Sequence, residues 1–352
     1  MKHISRRLLF LITVMSIAGL VLVYPPLRLA NLLLPGFSPS PWLVLALFTM
    51  PFAMRALHAQ TNHAWSRVLS AIIMTWLGIC FIAFTLLLPA ELILATGLIM
   101  SQTIGQSVGA LTIGITAYSI YNAMRLHVHE VNLQAPAALR GTRLVQISDV
   151  HIGSRQPGFL RPIVDRINDL QPDYTLITGD LIDMAGIGEA DLAPLREIES
   201  PVLFCIGNHE RYVDLEEICT RLQNLGIEVL RNRSVSKNDI QFIGIDDAER
   251  KDQVARQLAN ISTSPDAYRV LLYHRPDSAA AAAAWGTDLM LTGHTHRGQI
   301  FPFNLLVKRV FPKLYRSYEV DGMTLYVSPG TGTWGPVMRL GSKCEITAFN
   351  LV

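Results

Sequence analysis

The stretch Leu144–His151, LVQISDVH, decides the fold and places the first candidate site residues. Leu144–Ile147 is a short apolar run of the kind that forms a buried strand, and Asp149 and His151 follow it directly. A carboxylate and an imidazole two residues apart, just past a strand end, can converge on one metal ion. An Asp-x-His pair is common by chance, so this stretch alone does not establish a metal site.

The same arrangement recurs further along the chain with other polar residues. Each time, a short apolar run ends in Asp, Asn or His. The runs and the motifs after them are Tyr174–Thr178 with Gly179-Asp180-Leu181-Ile182-Asp183, Val202–Ile206 with Gly207-Asn208-His209-Glu210, Val270–Tyr273 with His274, and Leu289–Thr292 with Gly293-His294-Thr295-His296. Because ligands of open α/β sheets bind at the carboxyl ends of the strands, one site can collect all these motifs.

The donors at these strand ends are hard oxygens and imidazoles, with no thiolate. They are Asp149, His151, Asp180, Asn208, His274, His294 and His296. This mixture suits Mn²⁺, Fe²⁺ or Fe³⁺, Zn²⁺ or Ni²⁺, and it differs from the ligand set of a structural zinc site. The donors exceed the needs of one ion, whereas a bridging carboxylate would let them form two sets. Two adjacent metal ions are the arrangement used for in-line displacement at phosphorus.

In this order, the motifs DVH, GDLID, GNHE, the lone His274 and GHTH resemble those of the calcineurin-like metallophosphoesterases over roughly Leu144–Val352. The resemblance implies a four-layer α/β/β/α sandwich, in which two β-sheets are flanked by helices. It also implies hydrolysis of a phosphodiester or pyrophosphate bond by a hydroxide that bridges two divalent metal ions. The substrate itself does not follow from the motifs.

The resemblance also implies a role for each motif residue. Asp149, His151 and His296 would hold one ion, Asn208, His274 and His294 the other, and Asp180 would bridge the two. His209 would not bind metal, but would protonate the leaving oxygen or stabilise the transition state, and Asp183 would orient it. Met184 stands where protein phosphatases of this family have an arginine, which argues against a phosphoprotein substrate.

Three further charged residues lie near the motifs in sequence. Glu210 is expected to be structural, because its neighbours already fill the catalytic roles. Arg275 could bind a phosphate or pair with Asp277. Arg339 follows a glycine-rich loop, and it could reach a substrate phosphate or form a surface salt bridge.

The first 124 residues differ in composition from the rest of the chain. They contain six Lys or Arg and a single acid, Glu91, so the net charge of +2 leaves −3 on the remainder. That negative charge argues against a nucleic-acid partner. So few polar groups could hardly cover a soluble helical domain, and we expect a transmembrane helical domain over residues 1–125. The four cysteines are scattered without a CxxC motif, which predicts free thiols.

Four apolar stretches of this region are candidate membrane spans. They are Leu8–Tyr24, Trp42–Met54, Val68–Leu88 and Leu92–Met124. The first could be a cleaved signal peptide, and the last could be an interfacial piece with one crossing, or two crossings. Lys and Arg lie in alternate loops, which favours a multi-pass inner-membrane protein with four crossings and a cytoplasmic catalytic domain. A fifth crossing would move that domain outside.

The rest of the chain alternates strands and helices. We expect a linker over residues 126–142 and the metallophosphoesterase domain over residues 143–352. Apolar periodicity predicts helices over Phe159–Leu170 and Leu215–Leu225, the latter capped by Asp214. A further helix is expected over Ser278–Trp285, hairpins at Lys237-Asn238-Asp239 and at Asp321-Gly322, and a final strand over Cys344–Leu351.

Phe301–Tyr318, FPFNLLVKRVFPKLYRSY, interleaves large apolar residues with Lys308, Arg309, Lys313 and Arg316. This composition is typical of a membrane-surface element, and the alternative is a strand and loop packed on the core. Together with the apolar region it predicts membrane lipids as partners and a lipid-linked substrate, with no protein partner indicated. The alternatives are a non-catalytic metal-binding membrane sensor and a phosphodiesterase acting on soluble nucleotides or nucleic acid.

Overall fold

The structure is a computed structural model, and it describes residues 12–13, 15–61, 64–264 and 266–352. The chain divides into two compact units, Met1–Tyr121 with Gly335–Met338, and Asn122–Trp334 with Arg339–Val352. The positive residues at the N-terminus, Lys2, Arg6 and Arg7, and the start of the first predicted span lie outside the described residues.

The first unit is built from apolar helices. Their bounds are Tyr24–Leu33 (α1), Pro41–Thr61 (α2), Ala64–Thr96 (α3) and Ser101–Ala123 (α4). Among the described residues, two helical stretches are long and apolar enough to cross a membrane, Met15–Leu33 and Trp65–Thr96, and Pro41–Met54 is a shorter apolar helix. Residues 92–96 extend α3 and one further helix follows, so the predicted stretch Leu92–Met124 is divided between α3 and α4.

The sole acid of this apolar region is neutralised within the first unit. Glu91 accepts hydrogen bonds from the Arg28 Nε at 2.6 Å and from the Tyr24 hydroxyl at 2.8 Å. A charge in an apolar helical unit is expensive unless it is paired in this way. The pair connects α1 with α3.

The second unit contains two six-stranded sheets. Its strands are Leu126–Leu133 (β1), Arg143–Ile147 (β2), Tyr174–Thr178 (β3), Val202–Cys205 (β4), Glu228–Val229 (β5), Arg233–Lys237 (β6), Ile240–Gly244 (β7), Tyr268–Leu272 (β8), Leu289–Thr292 (β9), Arg316–Val320 (β10), Met323–Val327 (β11) and Cys344–Leu351 (β12). Its helices are Leu160–Asp169 (α5), Glu189–Leu192 (α6), Leu215–Asn224 (α7), Gln253–Leu258 (α8), Ala279–Trp285 (α9) and Asn304–Val310 (α10).

Both sheets have a parallel centre. The first has the order β1-β12-β2-β3-β4-β5 and the second β10-β11-β9-β8-β7-β6. Strands β2 to β5 run parallel in the first sheet, and β7, β8, β9 and β11 run parallel in the second. Parallel strands place their carboxyl ends at one edge, which is where the polar motifs follow β2, β3, β4, β8 and β9.

Three clusters of buried apolar side chains hold the layers of the second unit together. The cluster between the sheets joins side chains such as Leu144 and Leu203 of the first sheet to Phe242 and Val270 of the second. The outer face of the first sheet packs on α5 and α7, and the outer face of the second packs on α8 and α9. Each sheet therefore buries both faces, and the predicted four-layer α/β/β/α sandwich is confirmed.

The expected linker over residues 126–142 is wrong in its first half. Leu126–Leu133 forms the edge strand β1, which runs parallel to the final strand with Leu126 opposite Cys344. Leu126 and Val128 pack on the outer cluster, and Val131 and Leu133 pack on the cluster between the sheets. The polar residues His127, His129 and Glu130 hid this pattern, because an edge strand tolerates them.

The other predicted elements of the second unit are present. Asp214 caps α7 by accepting the N–H of Glu217 at 3.2 Å, and both predicted hairpins are antiparallel pairs. The four cysteines are free and buried, as predicted.

Candidate metal centre

The strand ends of both sheets bring the predicted donors together. Two groups of predicted donors are close enough to hold a metal ion, Asp149 with His151 and His296, and Asp180 with His274 and His294. Within each group, the side-chain nitrogen and oxygen atoms lie within 4.8 Å of one another. The first sheet supplies Asp149, His151 and Asp180, and the second supplies the other three. The site therefore exists only where the two sheets meet.

The backbone at these strand ends is left-handed at most of the donors. Positive φ angles of 47–70° occur at Asp149, His151, Asp180, His294 and His296. Such angles are strained for residues other than glycine and cluster at functional sites. Backbone hydrogen bonds hold the turns, with the Asp149 N–H donating to the Gly179 carbonyl at 3.1 Å and the His151 N–H to the Asp180 carbonyl at 3.0 Å.

Glycines in the motifs permit the close approach of these loops. A Cβ on Gly179, whose φ is +77°, would lie 2.6 Å from the Gly207 backbone and 2.8 Å from the His274 Nδ1. A Cβ on Gly293 would lie 2.2 Å from the Asp149 Oδ2. Any side chain at either position would push a donor out of place.

Asp180 lies between the two groups. Its Oδ2 is 3.0 Å from the His274 Nε2 and 3.8 Å from the His151 Nε2. The His296 Nε2 is 3.0 Å from the His151 Nε2 and 3.4 Å from the Asp149 Oδ1. On the other side, the His294 Nδ1 is 3.2 Å from the His274 Nε2. The Asp180 carboxylate thus lies close to imidazoles of both groups.

The residues fit divalent metal ions. The Asn208 Oδ1 is buried and has no hydrogen-bond partner among the described residues, as expected of an oxygen that faces a cation. The donor set contains two fully or nearly fully buried carboxylates, Asp149 and Asp180, with imidazoles around them. Burying carboxylates is expensive unless a cation or several donors accompany them.

The pKa values of three histidines also indicate that the site requires positive charge. Burial alone would lower the pKa of His274, but the carboxylates of Asp180 and Asp149 outweigh it and raise the pKa to about 10. Burial and the positive His274 lower the pKa of His294 to about 3. Burial and Arg339 likewise hold the pKa of His296 well below its usual range. A divalent cation would supply positive charge beside these carboxylates and would bind the imidazoles in their neutral form.

His209 lies at the rim of the site. Its ring forms edge contacts with His151 at a centroid distance of 4.8 Å, with Tyr212 at 5.5 Å and with Trp334 at 5.8 Å. Its backbone N–H donates to the Asp180 Oδ1 at 2.9 Å. Burial lowers the pKa of its imidazole to about 4. His209 thus lies next to the first donor group and contacts two aromatic rings.

Asp183 lies closer to His151 than its implied role suggests. Its carboxylate is 3.4 Å from the His151 Nδ1 and accepts hydrogen bonds from the Ser154 N–H at 2.9 Å and the Ser154 hydroxyl at 2.5 Å. It also has an oxygen within 4.8 Å of a ring nitrogen of His209. Asp183 thus lies beside both His151 and His209.

Glu210 stabilises the backbone of the loops that form the site, in agreement with the structural role predicted for it. The side chain is fully buried and accepts the N–H groups of Asp180 at 3.0 Å, Ile182 at 3.0 Å and Gly207 at 2.8 Å. It therefore joins the loop after β3 to the loop after β4. The sequence GNHE contained this residue, but only the fold shows which amides it binds.

Neither interpretation of Arg339 is correct. The guanidinium is fully buried and donates to the carbonyls of His296, Pro329 and Gly332 at 2.9, 2.7 and 2.5 Å. Its Nη2 lies 3.2 Å from the His296 Nδ1. Arg339 is thus a support beneath a predicted metal ligand, and neither a surface residue nor a substrate contact.

Arg275 also has a different partner from the one expected. It binds the buried Asp247 through Nε at 2.6 Å and Nη2 at 3.2 Å, and Arg211 binds the same carboxylate at 3.0 Å. Asp247 follows β7 closely in sequence, but nothing in its local sequence marked it as the partner of residues after β4 and β8.

Comparisons with known proteins identify the family of this domain. The model of the calcineurin-like phosphoesterase family matches residues 142–298. An uncharacterised metallophosphoesterase of Campylobacter jejuni is 32% identical over 66% of this chain and 65% of its own length. A bovine transmembrane protein with metallophosphoesterase domain is 35% identical over 61% of this chain and 54% of its own. The chain thus spans less than two thirds of the length of either protein.

An uncharacterised metallophosphoesterase of Aquifex aeolicus is matched almost throughout, at 30% identity over 67% of this chain and 95% of its own length. The family match, the layered fold and the converging donors all indicate the same kind of domain. The chain belongs to the calcineurin-like metallophosphoesterases, which are metal-dependent phosphoester hydrolases.

Proposed function

We propose that this protein is a membrane-anchored hydrolase that uses two divalent metal ions to cleave a phosphodiester or pyrophosphate bond in a lipid-linked substrate. The observation that supports two ions is the position of Asp180 between two donor groups. The first ion would be held by Asp149, His151 and His296, and the second by Asn208, His274 and His294, with Asp180 shared. Bound ions of this kind supply Lewis-acid stabilisation of the phosphoryl group and activation of water.

The chain's own residues would position these groups and complete the reaction. The Asp183 carboxylate lies 3.4 Å from the His151 Nδ1, on the side of the ring away from the other donors, and would orient this ring when a metal is bound. His209 donates a hydrogen bond or a proton to the leaving oxygen from the rim. Tyr212 and Trp334 flank His209.

The lipid-linked substrate is supported by the apolar helices of the first unit and by the relatives named as transmembrane proteins. A substrate that is confined to a bilayer would gain from an enzyme confined to the same surface, because effective concentration rises when both partners share it. The experiment is a screen of the purified full-length protein with Mn²⁺ against lipid phosphodiesters, nucleotide-linked lipids, soluble nucleotides and phosphoproteins.

Turnover of a lipid phosphodiester or pyrophosphate, absent in an Asp180→Asn variant, is the expected result. Turnover of soluble nucleotides alone would contradict the lipid-linked substrate. Metal binding without turnover on any member of the panel would favour the sensor alternative and contradict the enzyme assignment.

We also propose that the catalytic unit faces the cytoplasm. The support is the alternation of Lys and Arg between the loops of the first 124 residues, which follows the positive-inside rule. A fluorescent protein fused after Val352 should be bright, and an alkaline phosphatase fused there should be inactive. An active alkaline phosphatase would place the domain outside and require an odd number of crossings.

A further inference from the structure

Helix α10 exposes apolar side chains beside the metal centre. None of its residues is buried, and Leu305, Leu306 and Val310 are 57%, 55% and 71% exposed. At about 100° per residue, these three side chains lie within an arc of about 140°. Phe301, just before the helix, is 51% exposed. A surface helix of a soluble domain turns its apolar face to the core, so this helix lacks the partner that such a face requires.

The same segment is strongly basic. Between Asp288 and Glu319 the chain contains no acid, whereas it contains Arg297, Lys308, Arg309, Lys313 and Arg316. Lys308, Arg309 and Arg316 are exposed, and Lys313 is half-buried. Long cationic side chains can keep their charged ends at a polar boundary while their stems lie against apolar groups. Exposed apolar groups together with cations are complementary to an anionic lipid surface.

The segment is fixed to the metal centre at both ends. Before α10, a Cβ on Gly298 would lie 2.3 Å from the Asn304 Cα, so the helix begins directly against the loop that carries His296. After α10, the Phe311 ring meets the His294 ring edge-on at 5.1 Å. The Thr295 hydroxyl donates to the Leu314 carbonyl at 2.8 Å. The exposed helix is therefore anchored close to two predicted metal ligands, His294 and His296.

The part of the predicted segment after α10 packs on the core, beginning with the buried Leu314. Arg316 begins strand β10, which pairs with β11, and Tyr318 packs on the cluster of the second sheet. The alternative of a core strand and loop thus holds for residues 314–318 but not for α10.

We infer that α10 and its flanking residues dock on an anionic phospholipid bilayer. Phe301, Leu305, Leu306 and Val310 enter the boundary of the acyl chains, while the cations meet the headgroup phosphates. Because Phe311 connects this surface to His294, a docked bilayer presents a lipid headgroup to the metal centre. This last consequence rests on the proposed function, whereas the docking does not.

The test uses the full-length protein reconstituted in vesicles of zwitterionic or mixed anionic lipid. The native cysteines are buried, so Leu305→Cys can carry a single environment-sensitive fluorophore. Glu199→Cys is the matched control, because Glu199 is exposed and lies at the opposite end of the first sheet, before β4. Nitroxide-bearing lipids quench fluorophores in the bilayer, and iodide quenches those in water.

We expect nitroxide lipids to quench the label at position 305 at least about twofold more than the label at position 199, with the larger effect in anionic vesicles. Reversing Lys308 and Arg309 to Glu should remove the dependence on anionic lipid. Reversing Arg161 and Arg166 on the exposed side of α5 should not. Iodide quenching of both labels to the same extent, with no effect of nitroxide lipid, would overturn the docking.

A separate measurement keeps the two proposals apart. Hydrolysis of bis(p-nitrophenyl) phosphate by the unlabelled protein in detergent needs no bilayer. Hydrolysis without lipid quenching at position 305 refutes the docking alone. Lipid quenching at position 305 without turnover of this diester or of any member of the substrate panel supports the docking and refutes the proposed function.

Discussion

The two sheets of the second unit supply different chemistry to one site. Strands β2, β3 and β4 of the first sheet deliver every carboxylate and amide donor, together with His151. Strands β8 and β9 of the second sheet deliver imidazoles alone, His274, His294 and His296. The carboxylates supply negative charge and the imidazoles supply neutral donors, and a divalent ion needs both. Neither sheet can therefore form the centre without the other, and packing of the sheets is a condition of function.

The buried residues that support the loops of the two sheets, Glu210 and Arg339, also differ in charge. Under the first sheet, the Glu210 carboxylate accepts amide N–H groups of the loops after β3 and β4. Under the second, the Arg339 guanidinium donates to carbonyls, including that of His296. Each buried charge is satisfied mainly by backbone, so each fixes loop geometry more than it neutralises a ligand. This difference predicts that substitutions of the donors where the two sheets meet reduce turnover most. Substitutions of Glu210 and Arg339 should mainly lower stability.

Asp180→Asn should have the largest effect, because the Asp180 carboxylate is the ligand that the proposed mechanism shares between the two ions, and it lies close to imidazoles of both sheets. Loss of a shared ligand should reduce turnover by on the order of 10³-fold, which corresponds to the several kcal/mol that metal ions contribute. Metal content per chain, measured by elemental analysis, should fall as well. Asp169→Asn, the same change on the exposed end of α5, is the control. A variant that retains two metals and wild-type turnover would show that Asp180 does not bridge.

His209→Ala should separate catalysis from metal binding. His209 contacts substrate in the proposed mechanism and is not a ligand, so turnover should fall by about 10²-fold while metal content stays normal. His274→Ala, which removes an imidazole of the second sheet, should lower both. If His209→Ala lost metal to the same degree as His274→Ala, His209 would have to be counted among the ligands.

Substitution of the supports should have the smallest effect on turnover per folded molecule and a measurable one on stability. Arg339→Met keeps the volume but leaves carbonyls without their donor, which should lower the free energy of unfolding by about 2 kcal/mol. Glu210→Gln places an amide NH₂ against N–H groups, with a cost of about 1–3 kcal/mol. Thermal unfolding of the full chain in detergent measures both. An unchanged melting temperature in either variant would contradict its role as a support.

Local patterns in the sequence carried much of this information. Apolar runs that end in Asp, Asn or His predicted strands with donors at their carboxyl ends, because a buried strand and a polar loop each follow from a few neighbouring residues. Asp180 and His274 were thus identified as donors without any knowledge of their distance. The turn residues Asp321-Gly322 and the cap at Asp214 were predictable for the same reason, since a turn or a cap forms within four residues.

Tertiary structure decided everything that depends on distant residues. The sequence could not show that Glu210 binds three backbone amides, that Arg339 lies under His296, or that Asp183 faces His151 as well as His209. It also made β1 look like a linker and gave no register for its pairing with β12. The physical reason is that hydrophobic periodicity fixes which face of an element is buried, whereas the order of strands and the left-handed turns at Asp149 and His294 fix which side chains meet. Those contacts exist only after both sheets have packed.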